Sequence, residues 1–320
     1  MAPDEFVTKR LAFIKYLYAS AVEQSRRPDP LCSASILMFH DAIELFLQLG
    51  YEYLGASKKS QSFMDYWDII SEKLPAGVAL SQKASMERLN KSRVGLKHAG
   101  ILPSKTDLEG FVRVTASFFE ENTKLVFGIN FLEISLIELV ECVNAKIDLN
   151  QAQKLLEDNK IEEALDNVAL SFAKLLSDYK SGLRDKFGHY PFSFSGINSL
   201  ICAVTSDNSD FGDEVSSFSD DVESTLSDID DSVSELQNVI EIIILRIDYR
   251  RYVKFNLLTP KVRKQHMRKD VTEPIVNNPK WTYKIQRAAP GSRGIPTIDD
   301  VQFCIDFVIE SAMTLQDFTF

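Results

Sequence analysis

The sequence predicts an all-α protein, on three observations. Apolar residues recur at three- and four-residue steps from about residue 6 to 256. Runs of β-branched residues are short, so no sheet of more than two short strands is expected. Prolines and glycines punctuate the pattern at intervals that suit helices of ordinary length. With 320 residues, 45% apolar and 26% charged, the chain holds one large or two modest cores.

Phe6 to Arg27 has the helical pattern, with Leu11, Ile14, Tyr18 and Val22 on one face, and Pro28 and Pro30 end it. The next helix, capped at Asp29 or Ser33, runs to Gly55 and is apolar around most of its circumference, as the central helix of a bundle would be. A short aromatic helix spans Ser62 to Lys73. A fourth covers Lys83 to Gly100, with Met86, Leu89, Val94 and Leu96 as its apolar positions. Thr106-Asp107-Leu108-Glu109 opens a fifth, whose apolar face continues through Phe111 and Phe118 to Phe127. Phe131 to Cys142 reads as a bridging helix. Ala152 to Tyr179 reads as two antiparallel segments turning at Asp158-Asn159.

From Ser193 to Phe218 the composition is that of a loop. Asp207 to Glu235 holds eleven acids and no basic residue. Val222, Leu226, Ile229, Val233, Leu236, Ile240 and Ile243 then step like a heptad, in a helix expected to reach about Phe255. It is either a bundle helix or a dimer seam. Beyond it the basic region is expected to be mostly irregular, and Asp299 to Phe318 forms a terminal helix. Three ranges follow: a helical bundle at 1–130, a helical extension with an acidic loop at 131–256, and a basic region plus terminal helix at 257–320.

Arg93 and His98 sit near the end of the fourth helix. A permanent cation and an imidazole that titrates near neutrality are a useful pair for phosphate esters. A regular helix splays them by about 140°, unless the backbone bends at Gly95. A histidine in the last turn also feels the negative end of the helix dipole, which favours its protonated form. The plain alternative pairs Arg93 with a carboxylate such as Glu44 and leaves His98 to cap its own helix. His40 reads as a hydrogen-bonded core or interface residue.

The order of these pieces resembles a HEPN domain over residues 6 to 128: a helix carrying His-Asp-Ala-Ile-Glu (His40 to Glu44), a short aromatic helix, Arg-x4-His, and an aromatic terminal helix. Many HEPN domains are metal-independent ribonucleases whose motif arginine and histidine are the active residues. The resemblance therefore implies RNA as substrate, Arg93 and His98 as catalytic groups, no metal or other cofactor, and 2′,3′-cyclic phosphate products. It also implies a homodimer that brings two motifs together, in a toxin or effector of a bacterial defence system with a regulatory or antitoxin partner. The family usually carries Asn, Asp or His after the arginine, where this chain has Val94. That departure favours the alternative, a non-catalytic scaffold that binds RNA, a nucleotide or a partner protein. Arg184 and His189 repeat the spacing, with Asp185 as the polar neighbour, and form a second candidate pair.

Arg246 to Arg293 holds thirteen Lys and Arg against three acids, interleaved with Tyr249, Tyr252, Phe255, Trp281 and Tyr283. Cations beside flat rings suit single-stranded RNA, which makes Arg250, Arg251, Lys254, Arg263 and Lys264 candidate RNA-binding residues. The same residues also suit a solvated surface or an internal counter-charge, and the net charge of −10 gives no general reason to expect nucleic acid. Cys32, Cys142, Cys202 and Cys304 are scattered, as reduced thiols of a cytoplasmic protein would be. No signal peptide or membrane span is expected: the longest apolar run, Val239 to Leu245, is interrupted by Glu241. GxxxxGK[ST], GxSxG, HExxH and EF-hand patterns are all missing.

Overall fold

The computed structural model describes residues 3–56, 62–188, 236–266, 281–287 and 295–316, with backbone alone at 264–266 and 281. Among the described residues the protein is all-α apart from one two-stranded sheet. It divides into two compact units, Met1–Leu139 and Val140–Phe320. Residues 131–139 thus go with the first bundle, and the basic C-terminal region shares a unit with the helices from 140 onward.

The first unit is built around one apolar helix. α1 (Glu5–Ser25) starts where the Asp4 side chain accepts the Val7 N–H at 2.8 Å. α2 (Ser35–Tyr53) buries Phe39, Ile43, Phe46 and Leu47 completely. The segment Leu31–Tyr53 is long and apolar enough to cross a membrane by length and composition. Here most of its apolar side chains are instead packed against α1, α3 (Asp65–Ser71), α4 (Lys83–Ala99) and α5 (Lys105–Phe127). The Phe46 ring meets Phe118, Phe119 and Phe127 edge-on, at centroid distances of 5.3, 5.6 and 5.5 Å.

α4 is held by its ends more than by its flank, since only Met86 and Leu89 are buried along it. At its start, the buried Asn122 of α5 accepts the Ser81 N–H at 2.9 Å and donates to Ser81 Oγ at 3.0 Å. The Trp67 indole donates to the Ser81 carbonyl at 3.0 Å. At its finish, Gly100 takes a left-handed conformation (φ 65°) and donates to the Leu96 carbonyl, while the Ile101 N–H reaches Gly95. α4 is α-helical throughout.

The expected bridging helix over Phe131 to Cys142 is corrected to two 3-10 turns, Phe131–Glu133 and Leu136–Leu139. The cause is a competing partner. Lys15 of α1 donates to the carbonyls of Leu132 and Ile134 at 2.7 and 2.6 Å, and Ile134 is extended between the turns.

In the second unit, α6 (Val143–Glu157) and α7 (Ile161–Phe187) form the expected antiparallel pair, with Asn159 left-handed at the turn (φ 59°). Residues 236–244 are helical, but this helix does not reach Phe255. It breaks at Arg246 (φ 56°), and the Asp248 side chain accepts the Arg251 N–H to start α8 (Tyr249–Leu258). The apolar stripe also turns out differently. Leu236 and Ile243 are exposed, while Glu241, Ile242 and Leu245 are buried. Lys180 meets Glu241 at 2.7 Å, which lets that carboxylate lie inside. The heptad positions 222–233 and the stretch 193–218 lie outside the described residues.

Within the basic region, β1 (Lys261–His266) pairs antiparallel with β2 (Trp281–Gln286). Alternation of Val, Thr, Tyr and Ile with polar residues suits that hairpin. α9 (Ile298–Gln316) is opened by a reciprocal cap between Thr297 and Asp300 and packs on α6, α7 and α8. Phe172, Phe255 and Phe307 meet there with centroids 4.7 to 5.3 Å apart.

The Asn122 clamp is testable. Asn122→Ala leaves the Ser81 N–H and the Trp67–Ser81 turn without support, at a cost of about 1–3 kcal/mol. Urea unfolding measures it, and a midpoint equal to that of the unaltered protein would show that α4 is held by other means.

Candidate functional site

Arg93 points from α4 toward the middle of α2. It is half-buried, and its Nε is shut away from solvent with no hydrogen-bond partner. No ion pair to Glu44 forms. Its charge acts on His40, which is buried and stacked on Phe63 with ring centroids 4.3 Å apart. Asp41 Oδ1 and Glu44 Oε2 each lie 3.7 Å from His40 Nδ1. Neither ring nitrogen makes a hydrogen bond, although the Asn90 amide lies alongside. His40 is thus the core residue that was expected, with the Asn90 side chain, Asp41 and Glu44 as its polar neighbours. Burial pushes its pKa down, and the positive charge of Arg93 pushes it further, against the pull of Glu44 and Asp41. His40, Asp41 and Glu44 have the donor types of a metal site. The adjoining guanidinium works against a divalent cation there.

His98 is elsewhere. It is exposed in the last turn of α4, beside Lys97. Because the helix stays regular past Gly95, the splay of about 140° between Arg93 and His98 persists, and one chain does not bring the two together. Arg184 is exposed in the last turn of α7, where Gly188 (φ 76°) ends the helix. His189 lies outside the described residues.

No family model, curated protein or solved structure matches the chain. The site is thus read from its own geometry.

The basic segment of the second unit is partly engaged within the fold. Arg251 pairs with Glu310 of α9, and its guanidinium lies 5.4 Å from the centroid of the Phe303 ring. Lys254 sits 4.1 Å from the centroid of the same ring and 3.7 Å from Asp300. These two serve as counter-charges to the C-terminal helix. Arg250 and Arg263 are exposed. The Lys264 side chain lies outside the described residues.

Cys32, Cys142 and Cys304 are free thiols. Burial raises Cys304 to about 12, and burial with a hydrogen bond to Asp178 raises Cys142 to about 11. Neither is poised as a nucleophile.

The closeness of His40 to Arg93 was not foreseen. The available signal was spacing: His40 and Glu44 are one turn apart and share a face of a helix that is apolar around most of its circumference.

A pH dependence follows. His40 titrates below its ordinary value of 6.5 when folded, so the unfolded chain binds more protons between the two values. The stability of the neutral form is present above about pH 6.5 and is lost as the pH falls toward the depressed folded value. His40→Phe removes an unsatisfied buried polar group of similar shape, so it should be neutral or stabilising near pH 7.5. The variant should also lose stability less steeply below about pH 6.5. Thermal unfolding at several pH values checks both, and an unaltered acid slope would rule out the buried imidazole as its source.

Proposed function

We propose that the first unit is a metal-independent, RNA-cleaving domain of HEPN type, acting as a homodimer. The observation that carries this reading is Arg93: a half-buried guanidinium with no carboxylate partner among the described residues, on the helix that ends in Arg-x4-His. A cation held out of water without a counter-charge is unfavourable unless an anion completes the site. A phosphate is the natural complement to its planar fork.

In this reading, a histidine takes the proton from a ribose 2′-hydroxyl. That oxygen attacks the adjacent phosphorus, Arg93 stabilises the charge on the phosphoryl oxygens, and a second acid protonates the leaving 5′-oxygen. One exposed His98 cannot serve as both base and acid. Around it, Val94 is 42% exposed, Ile101 65% and Leu102 54%. An apolar rim of this kind suits a second copy docking across the end of α4, which would place two His98 side chains in one cleft. A cytoplasmic toxin or effector restrained by a partner protein is the finer form of the proposal.

The alternative is a non-catalytic scaffold that binds RNA, a nucleotide or another protein. The apolar, exposed Val94 in place of a polar neighbour favours it.

The deciding experiment incubates purified protein with total RNA in EDTA. His98→Ala should lower the rate by about 10²–10⁴, the worth of general acid–base catalysis. Arg93→Lys should also fail, because it keeps the charge and loses the fork. The products should carry 2′,3′-cyclic phosphate ends. Cleavage by His98→Ala at the unaltered rate would sink the assignment, and no cleavage by the unaltered protein leaves the scaffold reading.

A further inference from the structure

A groove of about 660 Å³ lies between the C-terminal end of α1 and the first two turns of α5. Its walls carry four cations, Arg26, Arg27, Lys105 and Arg113, against two acids, Asp29 and Glu109. Its apolar floor is formed by Val22, Leu108 and Val112. In a chain of net charge −10, such a concentration of positive charge stands out.

None of the four cations makes an ion pair or side-chain hydrogen bond among the described residues. Glu109 is four residues from both Lys105 and Arg113 on the same face of α5, the spacing at which ion pairs form, yet it pairs with neither. Asp29 accepts a hydrogen bond from the Cys32 thiol at 2.8 Å instead of meeting Arg26 or Arg27. Helix dipoles explain only half of the set. Arg26 and Arg27 follow the negative end of α1, where cations are favoured. Lys105 is the first residue of α5, where a cation opposes the positive end, and Arg113 joins it two turns on. Four like charges on facing walls repel one another until an anion lies between them.

We propose that this groove binds phosphoryl groups, borne either on a nucleotide-sized molecule or on an RNA strand. Arginine forks on both walls suit phosphate oxygens, and the volume lies within the range of small-ligand pockets. The apolar floor takes the less polar part of the ligand. This inference stands on residues separate from Arg93 and His98, and it does not require that the protein cleave RNA.

The test uses the full chain with three probes: inorganic tripolyphosphate, ATP, and a short single-stranded RNA. Binding is followed by calorimetry and fluorescence anisotropy. Arg27→Glu and Arg113→Glu replace exposed side chains, so circular dichroism should be unchanged. Each should weaken binding by about tenfold or more, as loss of a charge-assisted contact does. Lys124→Glu, at the far end of α5, should leave binding as it was. Binding of RNA alone, or of the nucleotide and tripolyphosphate, supports the proposal and identifies the carrier. The proposal is overturned if no probe binds, if binding survives both groove substitutions, or if Lys124→Glu weakens it equally. RNA cleavage lost in His98→Ala but retained in the groove variants would separate this site from the one proposed for catalysis.

Discussion

The clamp between Asn122, Ser81 and Trp67 is the constraint on which the placement of α4 depends. α4 contributes little to the core, with two buried apolar side chains among its seventeen residues. A helix so weakly held along its flank would slide or roll if its ends were free. Instead, a buried amide and an indole fix the backbone just before it, and Gly100 turns the chain sharply just after it. Buried polar groups of this kind have few alternative arrangements, because each lost hydrogen bond leaves an unsatisfied group in the core. The register of α4 is thereby set, and with it the inward direction of Arg93.

That direction creates an electrostatic imbalance. Burial, and after it the charge of Arg93, lowers the pKa of the buried His40, and the Nε of Arg93 has no hydrogen-bond partner. Asp41 and Glu44 stand 3.7 Å from His40 Nδ1 and pull its pKa the other way, and neither pairs with Arg93. Elsewhere charges are matched in both units, as Arg10 with Glu52 and Lys83 with Asp68 are in the first. Lys180 with Glu241, Lys174 with Asp148 and Arg287 with Asp166 are all matched. On the readings proposed above, the unmatched cations of the first unit, Arg93 and the groove set, are where a ligand's charge would lie.

Much of the fold was legible in the sequence because helical periodicity and stop signals are local properties. Pro28, Asn159 and Gly100 end or turn helices where the sequence suggested. What escaped was decided by tertiary partners. Lys15 takes the carbonyls that a helix at 131–142 would have used. Asp248 caps a new helix where apolar spacing alone implied continuation. The basic stretch left an RNA-binding patch and an internal counter-charge both open. The partners of Arg251 and Lys254, Glu310 and Asp300, lie on a distant helix that the stretch itself does not show. The groove cations were invisible for the same reason: Arg26 and Arg113 belong to different helices, and only packing brings them to one opening.

The placement of Arg93 and His98 constrains any mechanism that uses both. They share one rigid helix, so no side-chain rotation removes a splay of about 140° between their Cα–Cβ directions. Bending α4 would break the hydrogen bonds that hold it regular through Gly95 and the turn that closes on Gly100 and Ile101. The remaining route is to bring a second motif to the first. The exposed apolar residues are at the His98 end of α4, and the unpartnered cation is deeper in the same unit. A copy docked on that end would cover Val94, Ile101 and Leu102 and exclude water from the phosphate between them. On the proposed reading, then, catalysis and dimerisation are one requirement, and the apolar Val94 that departs from the family pattern would serve the contact between copies.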